Sequence, residues 1–232
     1  MKLLIIIPAR GGSKRLPGKN IMNLAGKPLI KWTIDLAQKL PYEKTIIVST
    51  DSEEIAEVAR ECGIQVPWLR PAEIAQDSSK ASDVALHALD LIEGNLSDTE
   101  CIILLQPTSP FRSIEKLIEG IEKFISSGMK PVIAVSPVRQ HPKWMFKIEK
   151  DELKALMPSK NYYERSQDLE KIYIVNGNFY IITPKDLKEQ RTFFAESMKP
   201  IVIESNSEDI DIDTEEEFEN AARLAERRNI TS

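Results

Sequence analysis

Apolar positions along the chain follow two rhythms. Short unbroken runs at 3–7, 45–48, 101–105 and 131–135 read as buried strands, while 28–40, 82–92 and 113–125 carry apolar residues at helical spacing. The first of these helices shows it in Leu29, Trp32, Ile34, Leu36 and Leu40. Asp51 followed by Glu54 has the form of a capping box for a further helix running through Ala59. Unbroken apolar strands separated by amphipathic helices predict a mostly parallel sheet covered on both faces. That is a doubly wound α/β domain, whose ligand crevice lies beyond the carboxyl ends of the strands.

The rhythm breaks after Val138. From there to Ile172 helical periodicity is weak, and aromatics appear at Trp144, Phe146, Tyr162 and Tyr163. The expectation is an α/β domain formed by 1–138 and 173–232, with 139–172 as an insertion of short strands and loops that docks elsewhere, for example on a second subunit. A strand resumes over 174–182. Thr214 and Glu217 then cap a last helix, which lines up Phe218, Ala221, Ala222 and Ala225 on one face.

Composition narrows the class. With 42% hydrophobic and 29% charged residues the chain is an ordinary globular one, and its net charge of −5 argues against general nucleic-acid affinity. Cys62 and Cys101, far apart, suggest neither a disulfide framework nor a zinc site. The apolar start at 3–7 is too short for a membrane span or a secretory signal, so a cytoplasmic location is expected.

Three segments carry candidate chemistry. Between Pro8 and Asn20, directly after the first strand, lie Arg10, Lys14, Arg15 and Lys19 with no acidic residue. Gly11, Gly12 and Gly18 allow close backbone approach, so the loop reads as a phosphate cradle built from N–H groups, Arg10 and Lys19. It is not a Walker loop: five residues separate Gly12 from Gly18, and Asn20 stands where Ser or Thr is required. At the end of another strand, two prolines stiffen a loop presenting Gln106, Thr108 and Ser109. Finally, alternation over 207–214 puts Asp209, Asp211 and Asp213 on one side if that segment is extended. Clustered carboxylates suit Mg²⁺, which takes one or two of them plus substrate phosphates. Arg70 could equally reach a base or pin its own loop. His87 reads as a packed helix-face residue, and His141 has no partner for catalysis.

Eight ordered segments, IPARGGSKRLPGKN, IIVSTDSEEIAEVA, RPAEIAQD, LLQPTSPFR, HPKWMF, RSQDL, NGNFYI and DIDIDT, together resemble the acylneuraminate cytidylyltransferases along almost the whole chain. The resemblance implies a nucleotide-diphospho-sugar transferase-like fold and transfer of CMP from CTP to a nine-carbon acid sugar, of N-acetylneuraminate or legionaminate type. It implies that Arg10 and Lys19 hold the triphosphate with Asn20 nearby, and that Arg70 and the stretch around Ser79 help bind cytosine or ribose. Gln106 would contact the sugar, and Asp211 and Asp213 would ligate Mg²⁺. Arg165, Asn176, Tyr180, Phe193 and Phe194 would shape the sugar pocket, some of them across a homodimer interface formed by the insertion.

In the reaction so implied, the anomeric hydroxyl attacks the α-phosphorus and pyrophosphate leaves; Asp211 or a water on the metal accepts the proton. The run Tyr173-Ile174-Val175 before Asn176-Gly177 departs from the arginine and proline common in bacterial sialic acid enzymes. Legionaminate therefore stays open beside N-acetylneuraminate, and pseudaminate ranks below both. Two other readings remain: a cytidylyltransferase for 3-deoxy-manno-octulosonate, against which RSQDL and NGNFYI count, and a catalytically silent nucleotide-binding homologue.

Overall fold

The computed structural model describes residues 1–92, 98–157, 165–205 and 207–227. In chain order the elements are β1 (Lys2–Pro8), β2 (Asn23–Leu24), β3 (Lys27–Pro28), α1 (Leu29–Lys39), β4 (Glu43–Ser49), α2 (Glu53–Glu61), α3 (Ala81–Ile92) and β5 (Thr99–Leu104). There follow α4 (Ile114–Ser126), β6 (Val132–Pro137), β7 (Phe146–Glu149), β8 (Glu152–Ala155), β9 (Tyr173–Ile182), α5 (Pro184–Gln190), β10 (Lys199–Val202) and α6 (Glu215–Arg227).

Six strands form the central sheet in the order β10-β6-β9-β5-β1-β4. Pairings β1–β4, β1–β5 and β6–β10 are parallel, whereas β9 runs antiparallel to both β5 and β6. The unbroken apolar run of β1 follows from burial on both faces. Leu3, Ile5 and Ile7 pack with Ile30 and Ile34 of α1, Ile55 of α2 and Leu117 and Ile121 of α4. Leu4 and Ile6 face the other way, onto Ala85 and Leu89 of α3 and Leu187 of α5. Helix α6 buries Ala221 and Ala225 in a third cluster with Trp32, Phe111 and Ile212, partly covering Phe218 and Ala222.

The last helix starts as the capping pattern predicts. Glu217 N–H donates to Thr214 Oγ1 at 3.3 Å, while Glu217 Oε2 accepts from Thr214 N–H at 2.9 Å. The expected box at Asp51 and Glu54 is corrected. Ser52 is the N-cap of α2 and accepts from Ile55 N–H at 3.3 Å. Asp51 is displaced from that task because it accepts instead from Gly11 N–H, 2.9 Å away in the loop after β1.

After Val138 the chain leaves the main sheet. Among the described residues, strands β7 and β8 pair only with each other, as an antiparallel hairpin whose residues are almost all exposed. Tyr162 and Tyr163 lie outside the described residues. Strand β9 brings the chain back and contains a break in register. Val175 pairs with Val135 and Tyr180 with Ile133, so residues 176–179 bulge opposite Ala134 alone.

Candidate active site

Chain order reverses across β1: β4 lies on one side of it and β5 on the other. Above this switch point the loops after β1 and β5 part, and a cleft of about 260 Å³ opens between them. It is lined by Arg10, Lys19, Asn20, Arg70, Gln76, Asp77, Ser79, Gln106, Thr108, Asp211 and Asp213 among others. Segments predicted from widely separated parts of the chain thus meet at one place.

The basic loop is held by its own residues. Gly18 takes φ +66°, the left-handed turn that starts the short 3-10 helix Lys19–Ile21. Buried Asn20 donates from Nδ2 to the Arg10 carbonyl at 3.0 Å, closing the loop from within. A Cβ on Gly11 would stand 2.9 Å from Ser52 Cβ, so only glycine lets this backbone lie against the start of α2.

All four cations of the loop are engaged by two carboxylates. Asp77 pairs with Arg10 at 2.5 Å and with Lys14 at 2.6 Å. Asp213 pairs with Lys19 at 2.7 Å and with Arg15. Lys19 also donates to the Ile212 carbonyl at 3.1 Å. Hydrogen bonds from Lys14 and Arg10 hold the Asp77 carboxyl below the usual carboxylate range. For Asp213, burial pushes upward, but Lys19 and Arg15 outweigh it and the carboxyl is lowered.

Arg70 is different. Its side chain is buried, 3.7 Å from Asp51, and its Nε and Nη2 have no hydrogen-bond partner. Burial lowers its pKa, with Asp51 opposing. A buried guanidinium with idle donors at the edge of a cleft is prepared for an acceptor that arrives from outside. Ser79, at the same wall, closes a turn by accepting from Gln76 N–H at 3.0 Å.

At the other end, Ile212 N–H donates to the Thr108 carbonyl at 2.9 Å, joining the acidic segment to the loop after β5. Burial raises the Asp211 carboxyl first, and the nearby charges of Asp213 and Glu217 add to this; Thr108 and Lys19 oppose them. Asp209, expected beside Asp211 and Asp213, accepts from Ser136 Oγ at 2.6 Å instead. Asn176 donates to that same hydroxyl at 2.8 Å. Gln106 lies over the bulge of β9, where a Cβ on Gly177 (φ +73°) would stand 2.7 Å from its Oε1.

The cytidylyltransferase family profile matches residues 4–231. Over 232 residues the chain is 40% identical to the CMP-N,N'-diacetyllegionaminic acid synthase of Legionella pneumophila, covering 97% of each sequence. It is 33% identical over 224 residues to a pseudaminic acid cytidylyltransferase of Campylobacter jejuni, covering 97% of this chain and 96% of the relative. Its fold matches a CMP:2-keto-3-deoxy-manno-octonic acid synthetase complexed with CTP, with a TM-score of 0.74 at 17% identity over 98% of this chain and all of that one. The chain is a member of the cytidylyltransferase family.

In this cytidylyltransferase the aromatic residues group as a set. Tyr180 lies 5.4 Å from Phe193 and 6.3 Å from Phe194, ring centroid to centroid. Burial raises the Tyr180 phenol, and the Asp211 charge adds to it. Asn176, Tyr180, Phe193 and Phe194 are not among the residues lining the cleft itself. Phe193 is buried and Phe194 exposed. Arg165 is exposed and does not line the cleft. Asp77 and Arg112 lie inside motifs that the sequence singles out, but what they face across the fold is not written in those motifs.

The described residues contain no group of three or more His, Cys, Asp or Glu side chains arranged to hold a metal ion. The two aspartates fit the other way in which Mg²⁺ is held, by one or two carboxylates with substrate phosphates completing its shell. No described helix is long and apolar enough to cross a membrane. Both cysteines are free.

Proposed function

We propose that this cytidylyltransferase joins CMP from CTP to the anomeric hydroxyl of a nonulosonic acid of the N,N'-diacetyllegionaminate type, releasing pyrophosphate. The observation that carries the reading is the polarity of one cleft. Arg10, Lys19 and Arg70, whose Nε and Nη2 have no hydrogen-bond partner, line it together with Asp211 and Asp213. Such a cleft, with cations and carboxylates side by side, suits a polyanion together with the divalent cation that neutralises it. The legionaminic acid relative, similar along its full length, supports the choice of sugar.

Nucleotidyl transfer asks the protein mostly for position and charge neutralisation. The acceptor oxygen forms a bond to the α-phosphorus, the α–β bridging bond breaks, and its electron pair leaves with pyrophosphate. The hydroxyl proton passes to Asp211 or to water. Arg10 and Lys19, leaving their carboxylate partners, would take the phosphate oxygens, and Arg70 would donate to the base or ribose beside Ser79. Gln106 and Asn176 would hold the sugar against the aromatic set of Tyr180, Phe193 and Phe194. Asp211 and Asp213 would hold Mg²⁺, which supplies charge neutralisation on the phosphates.

The exposed hairpin suggests a homodimer. Ile148 and Leu153 are 76% and 69% exposed, Trp144, Met145 and Phe146 are exposed near Ile148 in the chain, and Tyr173 and Ile174 are exposed at the start of β9. An apolar surface of this kind is suited to a second copy, which could bring Arg165 to its partner's cleft. Ile148→Glu should then yield a monomer by light scattering; an unchanged mass would remove the hairpin from the interface.

The test of function is pyrophosphate release from CTP and Mg²⁺ with N,N'-diacetyllegionaminate, N-acetylneuraminate, pseudaminate and 3-deoxy-manno-octulosonate in parallel. Preferred release with legionaminate, lost with chelator, is the expected result. Preference for another acid moves the sugar assignment, and silence with all four rejects the activity.

A further inference from the structure

Arg112 is a buried cation whose hydrogen bonds, among the described residues, all go to neutral oxygens. It is only 5% exposed. Its Nε donates to the Asn178 carbonyl at 2.6 Å, Nη2 to the Gln106 carbonyl at 2.8 Å, and Nη1 to Thr33 Oγ1 at 3.3 Å. Among the described residues no carboxylate lies within ion-pair distance of it. Burial lowers its pKa to about 9, opposed by the more distant charge of Asp211. It therefore still carries its proton at neutral pH.

A buried charge without an ion-pair partner is costly, and an apolar side chain of similar volume would fill the same space without that cost. What an apolar residue cannot supply is three donors fixed in a plane and aimed at three different elements. Thr33 belongs to α1, Gln106 to the loop after β5, and Asn178 to the bulge of β9. The other ties of the bulge run elsewhere: Asn176 Nδ2 donates to Ser136 Oγ at 2.8 Å, Asn178 Nδ2 to the Glu208 carbonyl at 2.9 Å, Asn178 N–H to Asn176 Oδ1 at 3.1 Å within the bulge, and Phe179 is buried in the core. The sheet pairing of the bulge is interrupted over residues 176–179. Gly177, at the crown of the bulge, is the residue against which the Gln106 amide rests.

We infer that Arg112 is a positioning residue for the acceptor side of the cleft, fastening the backbone of Gln106 to the Asn176–Asn178 bulge so that the amide of Gln106 and the side chain of Asn176 face one sugar together. The inference rests on the proposed function, because it takes Gln106 and Asn176 as acceptor contacts. Arg112 touches no substrate. It acts by fixing the distance between two backbone segments, while the phosphate-binding end is held by Asn20 and Asp51 and lies outside its reach.

Arg112→Lys keeps the charge but cannot hold three oxygens in a plane. Initial rates of pyrophosphate release, with thermal unfolding as a check on folding, give the KM for each substrate separately. The expected result is a KM for the acid sugar raised about tenfold or more, with the KM for CTP within about threefold of the parent. A purely structural arginine would lower the Tm and leave both KM values near the parent's, which overturns the inference; a parallel rise in both overturns it as well. If Arg112→Lys does not fold, Thr33→Val decides. It removes one acceptor of the guanidinium at constant shape and should raise the sugar KM alone by about threefold, with Thr33→Ser restoring it; an unchanged sugar KM overturns the inference. A parent protein that releases no pyrophosphate with any acid sugar overturns the proposed function and this inference together. An active parent with an unaltered Arg112→Lys overturns the inference only.

Discussion

The Asp77 carboxylate lies 2.5 Å from Nη1 of Arg10, and its other oxygen lies 2.6 Å from Lys14, where the proposed reaction requires phosphate oxygens. A nucleotide entering the cleft must displace it. Asp77→Asn removes the competing charge, so binding of CTP and of pyrophosphate should tighten. These pairs are solvent-exposed, Lys14 largely so, and individually weak, so the gain should be modest, about twofold to tenfold. Titration calorimetry checks it, and weaker binding in the variant would show that Asp77 supports the cradle rather than filling it.

Asp211→Asn separates function from stability. Because burial raises the Asp211 carboxyl, its ionised form opposes folding at neutral pH. A folded pKa above the unfolded one means that stability falls as pH rises from the unfolded pKa through the folded one. The amide escapes that cost, so the variant should melt at or above the parent's temperature at pH 7, with the advantage shrinking below about pH 4. Pyrophosphate release should nevertheless fall by about 100-fold or more. Near-normal turnover would remove Asp211 from the cation site.

Gly120→Ala should destabilise the fold although it improves a helix. Alanine favours a helix by up to about 1 kcal/mol over glycine. Here its Cβ would meet Phe179 Cε2 at 2.8 Å, inside a fully buried contact. Overpacking costs about 1–3 kcal/mol and should win, lowering Tm by about 2–8 °C. A rise in Tm would mean that Phe179 yields.

Asp35 should shape the acid limb of the stability curve. Burial alone would raise its carboxyl, but hydrogen bonds from Lys27 at 2.6 Å and Lys31 at 2.7 Å outweigh burial and lower it. A depressed carboxylate stabilises the fold above its unfolded pKa, and this contribution disappears as pH falls through the folded value. Tm measured from pH 7 down to pH 2.5 should therefore drop more steeply below about pH 4 in the parent than in Asp35→Asn. Parallel curves would show that these bonds are not kept in solution.

Much of this fold is written locally. The strands of the sheet's centre, helices α1, α3 and α4, and the cap at Thr214 follow from apolar spacing and capping residues within a few positions. The direction of β9 does not, because an apolar run has no arrow: Ile181 packs equally well whichever way its strand runs. Strand β10 is four residues long and contains Pro200, and α5 is a short polar helix, so neither produces a periodic signal. For the site, the basic loop was legible as a density of charge. The fates of Asp51 and Asp209 were not, since each is claimed by a partner remote in sequence, Gly11 and Ser136. Local alternation cannot report such a claim.

The bond from Lys19 to Asp213 spans 194 residues. During synthesis Arg15 and Lys19 emerge early and the aspartate that pairs with both emerges late, roughly 10 to 40 s afterwards at ordinary elongation rates. For that interval Asp77 is available to Arg10 and Lys14, but Arg15 and Lys19 still lack the carboxylate they pair with in the finished fold. The acidic wall of the cleft can therefore be completed only after residue 213 has been made, when the segment leading into α6 meets the loops after β1 and β5.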